Sequence, residues 1–219
     1  MSQPDLRCYA PATERNREPI LTILKSVLPA NGTVLEIASG TGQHAVFFAP
    51  RLTPRHWLPS DPNPSARNSI TSWIAAEDIE TLYPPLDINV TQQDWERQII
   101  DWQSHHPKQA PAIAAIVNIN MIHISPWAAS EGLFTGAENL LSPNGVLYLY
   151  GPFKRNGQHT APSNEAFDAS LRSQNSQWGV RDLESVTELA HQHHFRLADV
   201  FPMPANNFSL VFQYEGSRS

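Results

Sequence analysis

The chain has 219 residues, is 41% hydrophobic and carries a net charge of −6. It therefore has the apolar mass for a core, and its acidic balance argues against a nucleic-acid binder, which usually shows a basic face. Its one cysteine, Cys8, excludes an internal disulfide and a cysteine-built metal site. No apolar stretch reaches the roughly 18 residues of a membrane-spanning helix, and MSQPDLRCYAP has no apolar core of a signal peptide. The expectation is one domain over 1–219 in a reducing cytoplasm, with residues 1–30 as an N-terminal cap segment and helix.

Ile20, Ile23, Leu24, Val27 and Leu28 share one helix face, which Pro29-Ala30-Asn31-Gly32 ends. Thr33–Ile37 reads as a buried strand, and Ala45–Phe48 as a short helix stopped near Pro50. His56–Ser60 is a second strand, followed by Asn63-Pro64 as cap and first position of a helix through Glu77. Leu86-Asp87-Ile88 is a weak third strand. Thr91 caps a helix with Trp95, Ile99 and Trp102 on its inner face. Ala112–Ile119 is a strand, and Ser125-Pro126 opens a helix to Leu141. After the Pro143-Asn144-Gly145 turn comes the strand Val146–Tyr150, then a polar loop, Gly151 to Pro162. Helical patterns follow over Asn164–Ser173 and Asp182–His193. Phe195–Phe201 and Phe208–Tyr214 lie close enough together in the chain to form an antiparallel pair.

Strands alternating with helices imply an α/β fold with a mostly parallel sheet. Such sheets bind ligands at the carboxyl ends of their strands. At the first of these ends stand Gly40-Thr41-Gly42, where glycine permits positive φ and close approach of a ligand. The helix that follows offers N–H groups and a partial positive charge to an anionic or polar group. Asp61 ends the next strand nineteen residues beyond Gly42. An acid at that spacing accepts both hydroxyl hydrogens of a ribose. The pair points to a nucleoside-containing cofactor. Gly40-Thr41-Gly42-Gln43-His44-Ala45 also satisfies the loose G-x-G-x-x-A dinucleotide pattern, so a nicotinamide-dependent oxidoreductase stays open. Against it stand Glu36, an acid within the first strand, and the lack of a second lobe. The histidine groups His105-His106 and His191, His193 and His194 lie near helix ends and form no ligand pattern, so no metal site is expected.

Val34-Leu35-Glu36-Ile37-Ala38-Ser39-Gly40-Thr41-Gly42 resembles motif I of the class I S-adenosylmethionine-dependent methyltransferases, with Ala38 in place of the first glycine. The blocks ATERNREPIL, NMIHISPW, LYGPFKRNG, WGVRDLE and PANNFSLVF resemble the uncharacterised methyltransferase-like twenty-six type family. The resemblance implies a Rossmann-like sandwich with a seven-stranded sheet and S-adenosyl-L-methionine as cofactor. It implies a cofactor set of Glu36, Ser39, Gly40, Thr41, Gly42, Asp61, Asp87 near the adenine, and Asn120. It also implies that the N-terminal region, with Arg15 and Asn16, closes over the cofactor.

Acceptor residues are expected after the fourth and fifth strands. His123 suits a general base, or else shapes the pocket as a hydrogen-bonded histidine. Trp127 either walls an acceptor pocket or packs. Tyr150, Phe153 and Lys154 either contact the acceptor or belong to a solvated loop, and Tyr9 joins them from the N-terminus. Ser125-Pro126-Trp127 only faintly echoes the motif of enzymes that methylate nucleic-acid bases. The expected acceptor is a small molecule or a protein, with no nucleic acid or membrane partner. A non-catalytic cofactor-binding protein is the remaining alternative. The oligomeric state is not indicated.

Overall fold

The computed structural model describes residues 5–106 and 111–216, so residues 1–4 of the expected cap lie outside the described residues. Its elements in chain order are α1 (Pro11–Val27), β1 (Thr33–Ile37), α2 (Gln43–Phe48), β2 (His56–Ser60), α3 (Pro64–Glu77), α4 (Glu96–His105), β3 (Ile113–Ile119), α5 (Trp127–Leu140), β4 (Val146–Gly151), β5 (Phe153–Arg155), β6 (Gln158–His159), α6 (Pro162–Gln174), β7 (Arg181–Asp182), α7 (Leu183–Gln192), β8 (Phe195–Met203) and β9 (Asn207–Tyr214). Proline sets several boundaries. Pro11, Pro64 and Pro162 open α1, α3 and α6, where a missing N–H costs nothing. Asn63 caps α3 by accepting from the Ser65 N–H, and Asp182 caps α7 by accepting from that of Glu184. Among the described residues no helix is long and apolar enough to cross a membrane.

The chain divides into two compact units, Met1–Asn89 with Asp101–Val117, and Val90–Ile100 with Asn118–Ser219. The first orders its strands β2-β1-β3. β3 runs on into the second, where the order is β3-β4-β9-β8, so the main sheet has six strands. β1 and β2 are parallel, whereas β9 is antiparallel to β8, as the C-terminal pattern predicts, and also to β4. All five β1 residues and four of five in β2 are buried, the signature of strands covered on both faces.

Three expectations are corrected. The seventh strand at Leu86–Ile88 does not form. Instead two single parallel bridges, Trp57 to Leu82 and Ser60 to Leu86, flank Pro84 and Pro85, which have no N–H for a ladder. The polar loop after β4 is not a loop throughout. β5 and β6 form a hairpin that joins β7 in a separate three-stranded sheet, ordered β6-β5-β7. The helix expected from Thr91 begins only at Glu96, because Asp94 has φ 56° and cannot continue a right-handed helix.

In the second unit that delay turns Trp95 toward α5, where its indole N–H donates to the Gly132 carbonyl at 2.9 Å. Gly136, one turn further along α5, leaves room for the ring. A Cβ there would stand 2.1 Å from Trp95 Cζ2. Gly136→Ala is expected to lower stability by about 2 kcal/mol through overpacking, read as a reduced urea midpoint. An unchanged midpoint would mean that Trp95 does not need this gap.

Candidate functional site

In the first unit, β1 and β2 run in register from Thr33 opposite His56 to Ile37 opposite Ser60. Their ends are sewn together. Ser39 N–H donates to the Ser60 carbonyl (2.8 Å), Ser60 N–H to Ser39 Oγ (3.1 Å), and Ser60 Oγ to the Glu36 carbonyl (2.8 Å). The next residues of each strand end therefore meet, and Gly40 N–H donates to Asp61 Oδ2 at 2.9 Å. Asp61 Oδ1 accepts from Asn63 N–H, also at 2.9 Å. One N–H on each oxygen orients the carboxylate and leaves each oxygen further acceptor capacity.

The turn is left-handed at three places: Ala38 (φ 58°), Gly40 (φ 55°) and Gly42 (φ 83°). The two glycines serve different ends. A Cβ on Gly42 would press to 2.8 Å from Ile70 Cγ1, so this glycine lets α3 approach. A Cβ on Gly40 would meet nothing within 4 Å, so open space lies over that residue, as a ligand approaching the backbone requires. Ala38 occupies a conformation that glycine adopts at no steric cost.

Other expected residues of this unit are placed as follows. Asp87 is exposed and pairs with Arg67 at 3.0 Å, and Arg67 also donates to the Asp61 carbonyl at 2.9 Å. Arg67 thus ties Asp87 to the end of β2. Asn16 Oδ1 accepts from His44 Nε2 at 2.8 Å, binding α1 to α2. Burial, with the Arg17 charge nearby, pushes His44 down to about 3, so its imidazole is neutral. Arg15 is exposed on α1, and Tyr9 is 62% exposed with its ring edge-on to Trp73. Thr41 is held by its neighbours: its hydroxyl donates to Gln43 Oε1 and its carbonyl accepts from Ser69 Oγ.

Glu36 and Ser39 require correction. Glu36 is turned into the interior of the unit. It is 1% exposed, and Oε2 accepts from the Trp57 indole at 2.9 Å. Burial pushes its carboxyl up to about 7, against hydrogen bonds from Trp57 and Ser39 that lower it. The Ser39 hydroxyl is spent on the β1–β2 junction.

In the second unit, Asn120 has φ 65° and donates its N–H to the Tyr150 carbonyl at 2.8 Å. His123 follows on a single 3-10 turn and is wholly buried, its ring edge-on to Phe153 at 4.9 Å. The base role expected of His123 does not suit this setting. Arg181 N–H donates to Nδ1 at 3.3 Å, so the neutral ring carries its proton on Nε2. Burial, helped by the Arg181 charge, pushes the imidazole down to about 3. Phe153 and Tyr150 are also buried and support the cluster from within. Lys154 pairs with Asp168 at 3.3 Å. Trp127 is half-buried under the Arg181 guanidinium and lines a groove of about 560 Å³ with Glu131, Glu184, Glu188 and Leu189.

Sequence reasoning missed the two residues that organise this unit. Asp168 accepts from Val180 N–H (2.7 Å) and Arg172 Nε (3.1 Å), and also meets Lys154 and His159. Burial opposes its charge, but these partners hold its carboxyl below the ordinary range. Arg181 donates to the carbonyls of Ile122, Ser125 and Gln177. Only Asp168 with Arg172, four apart on α6, left a local signal. Among the described residues no cluster of histidine, cysteine and acid side chains is arranged to hold a metal ion.

A family model described as a protein of unknown function, DUF938, matches residues 7–214, and the chain belongs to that family. The fold is similar to that of an O-methyltransferase family protein from Burkholderia thailandensis (TM-score 0.74, 14% identity, 94% of this chain and 58% of that one). It is also similar to human N-acetylserotonin methyltransferase, solved with SAM (TM-score 0.72, 12% identity, 94% and 53%). A third is an O-methyltransferase family 2 protein from Planctomyces limnophilus, solved with apigenin (TM-score 0.69, 15% identity, 92% and 59%). At these identities the likeness is one of fold: an α/β fold similar to class I methyltransferases. The chain spans less than two thirds of each of these proteins.

The Glu36 carboxyl predicts a pH dependence of stability. Its folded value, about 7, lies above the ordinary 4.5. Between those values an unfolded chain ionises while the folded one stays protonated, so stability falls as pH rises through that window. The loss saturates above pH 7 at about 3 kcal/mol. Glu36→Gln keeps an acceptor for Trp57 and is expected to exceed the native chain in stability at pH 8, but not at pH 4. Urea unfolding at both values checks this, and an equal gap at both would refute a neutral Glu36.

Proposed function

We propose that this chain is a cytoplasmic S-adenosylmethionine-dependent methyltransferase with a small-molecule acceptor, of the methyltransferase-like twenty-six type. The observation that carries the reading is the turn after β1. Gly40 has open space where a side chain would stand, and its N–H is paired to the Asp61 carboxylate at 2.9 Å. A nucleoside cofactor needs this combination of bare backbone for close approach and a pre-oriented acid for the ribose. The similarity in fold to methyltransferases supports the same choice.

S-adenosylmethionine supplies a methyl group already activated on a sulfonium, so the chain has only to align an acceptor and exclude water. Asp61 would take the ribose hydroxyls on the acceptor capacity its two N–H partners leave. Asp87, tied to the end of β2 through Arg67, would meet the adenine amino group. Glu36 supports the turn from beneath. Asn120 stands on the cofactor side of the reading, while Tyr9, Arg15 and Asn16 belong to the N-terminal region that would close over the cofactor. On the acceptor side Trp127 remains the contact, while Lys154, paired with Asp168, and the buried neutral His123 brace the small sheet and take no proton.

Calorimetric titration with S-adenosylhomocysteine tests the placement. Asp61→Ala is expected to weaken binding by about 1–3 kcal/mol, the worth of hydrogen bonds to a charged group. Equal affinity would refute it. Thermal shift separates the cofactors: S-adenosylmethionine is expected to raise the melting temperature and NAD to leave it unchanged. The opposite response would favour an oxidoreductase.

A further inference from the structure

The segment Asp5–Ala10 crosses α3 and the start of α2 as an extended strap, and little apolar burial holds it. Leu6 and Tyr9 are 47% and 62% exposed. Its grip is polar. Cys8 N–H donates to Ser69 Oγ at 2.8 Å, and the same hydroxyl donates onward to the Thr41 carbonyl, also at 2.8 Å. Ala10 N–H donates to Gln43 Oε1, which accepts the Thr41 hydroxyl as well. The Trp73 indole N–H reaches the Cys8 carbonyl at 3.3 Å, with the Arg7 guanidinium over the ring. Ser69 is fully buried and Gln43 is 5% exposed.

Two buried side chains therefore each hold the strap with one bond and Thr41 with another. Thr41 is the residue between the two glycines. If the strap lifts, Ser69 and Gln43 lose partners and Thr41 loses the restraint that sets the turn. If a ligand fixes the turn, both side chains stay aimed at the strap amides.

We propose that Ser69 and Gln43 are positioning residues that couple docking of the Asp5–Ala10 strap to ligand binding at the Gly40–Gly42 turn. The inference rests on the reading of that turn as a cofactor site. The coupling is reciprocal: the factor by which a ligand lowers the equilibrium population of the open strap relative to the docked one equals the factor by which a docked strap tightens the ligand. A segment with few apolar contacts opens at low cost, so the effect falls within measurable exchange.

Hydrogen exchange of the full chain with and without S-adenosylhomocysteine tests this. The Cys8 and Ala10 amides are expected to slow about tenfold on binding, together with the Gly40 and Gly42 amides. Gln43→Ala is expected to weaken binding about tenfold and to abolish the slowing at Ala10, whereas Gln43→Glu, which keeps the acceptor, restores both. Ser69→Ala is expected to do the same at Cys8. Trp73→Phe, which leaves both relays intact and drops one strap bond, is expected to weaken binding several-fold, and it answers any loss of folding in Ser69→Ala. Slowed turn amides with unchanged Cys8 and Ala10 amides would overturn the coupling while leaving the cofactor reading intact. Full affinity in Gln43→Ala would do the same. If neither turn nor strap responds and calorimetry shows no binding, the cofactor reading itself fails, and the coupling with it.

Discussion

The register of β1 on β2 is the constraint on which the rest of the first unit depends. Ile37 stands opposite Ser60, and the hydrogen bonds between Ser39 and Ser60 prevent either strand from slipping. A slip of one residue would reverse the face of every side chain. It would part Gly40 from Asp61 and send Trp57 away from Glu36. An acid and a backbone N–H are held side by side because two parallel strands end level with each other, and because Ser39 and Ser60 tie those ends with their hydroxyls.

Polar groups buried around that junction shape it further. The first unit buries the Glu36 carboxyl and the His44 imidazole against neutral partners: Glu36 against Trp57 and Ser39, and His44 against Asn16. Neither pairing is an ion pair, and burial moves both groups toward their uncharged forms. The turn thus stands on buried polar groups that have no counter-charge. Exposed charge, such as that of Asp87, Glu77 and Lys25, stays at the surface, where water already solvates it.

The second unit solves a different problem. The hairpin of β5 and β6 is too short to be stable alone. It is held by Phe153 packed on the buried His123 and by Asp168, a carboxylate shared among lysine, histidine, arginine and a backbone N–H. Arg181 clamps the Ile122 and Ser125 carbonyls, which lie just before α5. Side chains that look reactive in isolation, His123 and Lys154 among them, are here the braces of a small sheet.

By itself the sequence determined the alternation of strands and helices, the antiparallel end of the sheet and the glycine turn paired with Asp61. These depend on local matters: apolar periodicity, proline and glycine punctuation, and a spacing along one strand–helix–strand unit. It also determined the helix cap at Asn63. Tertiary structure alone decided that Glu36 faces Trp57, that Lys154 serves Asp168 and that Arg67 links Asp61 to Asp87. It alone decided that the stretch around Leu86 bridges β2 without forming a strand. Each of these joins residues far apart in sequence or turns on which face of a strand is covered. A side chain's type says only that a partner is needed; the packing of distant segments determines which partner arrives.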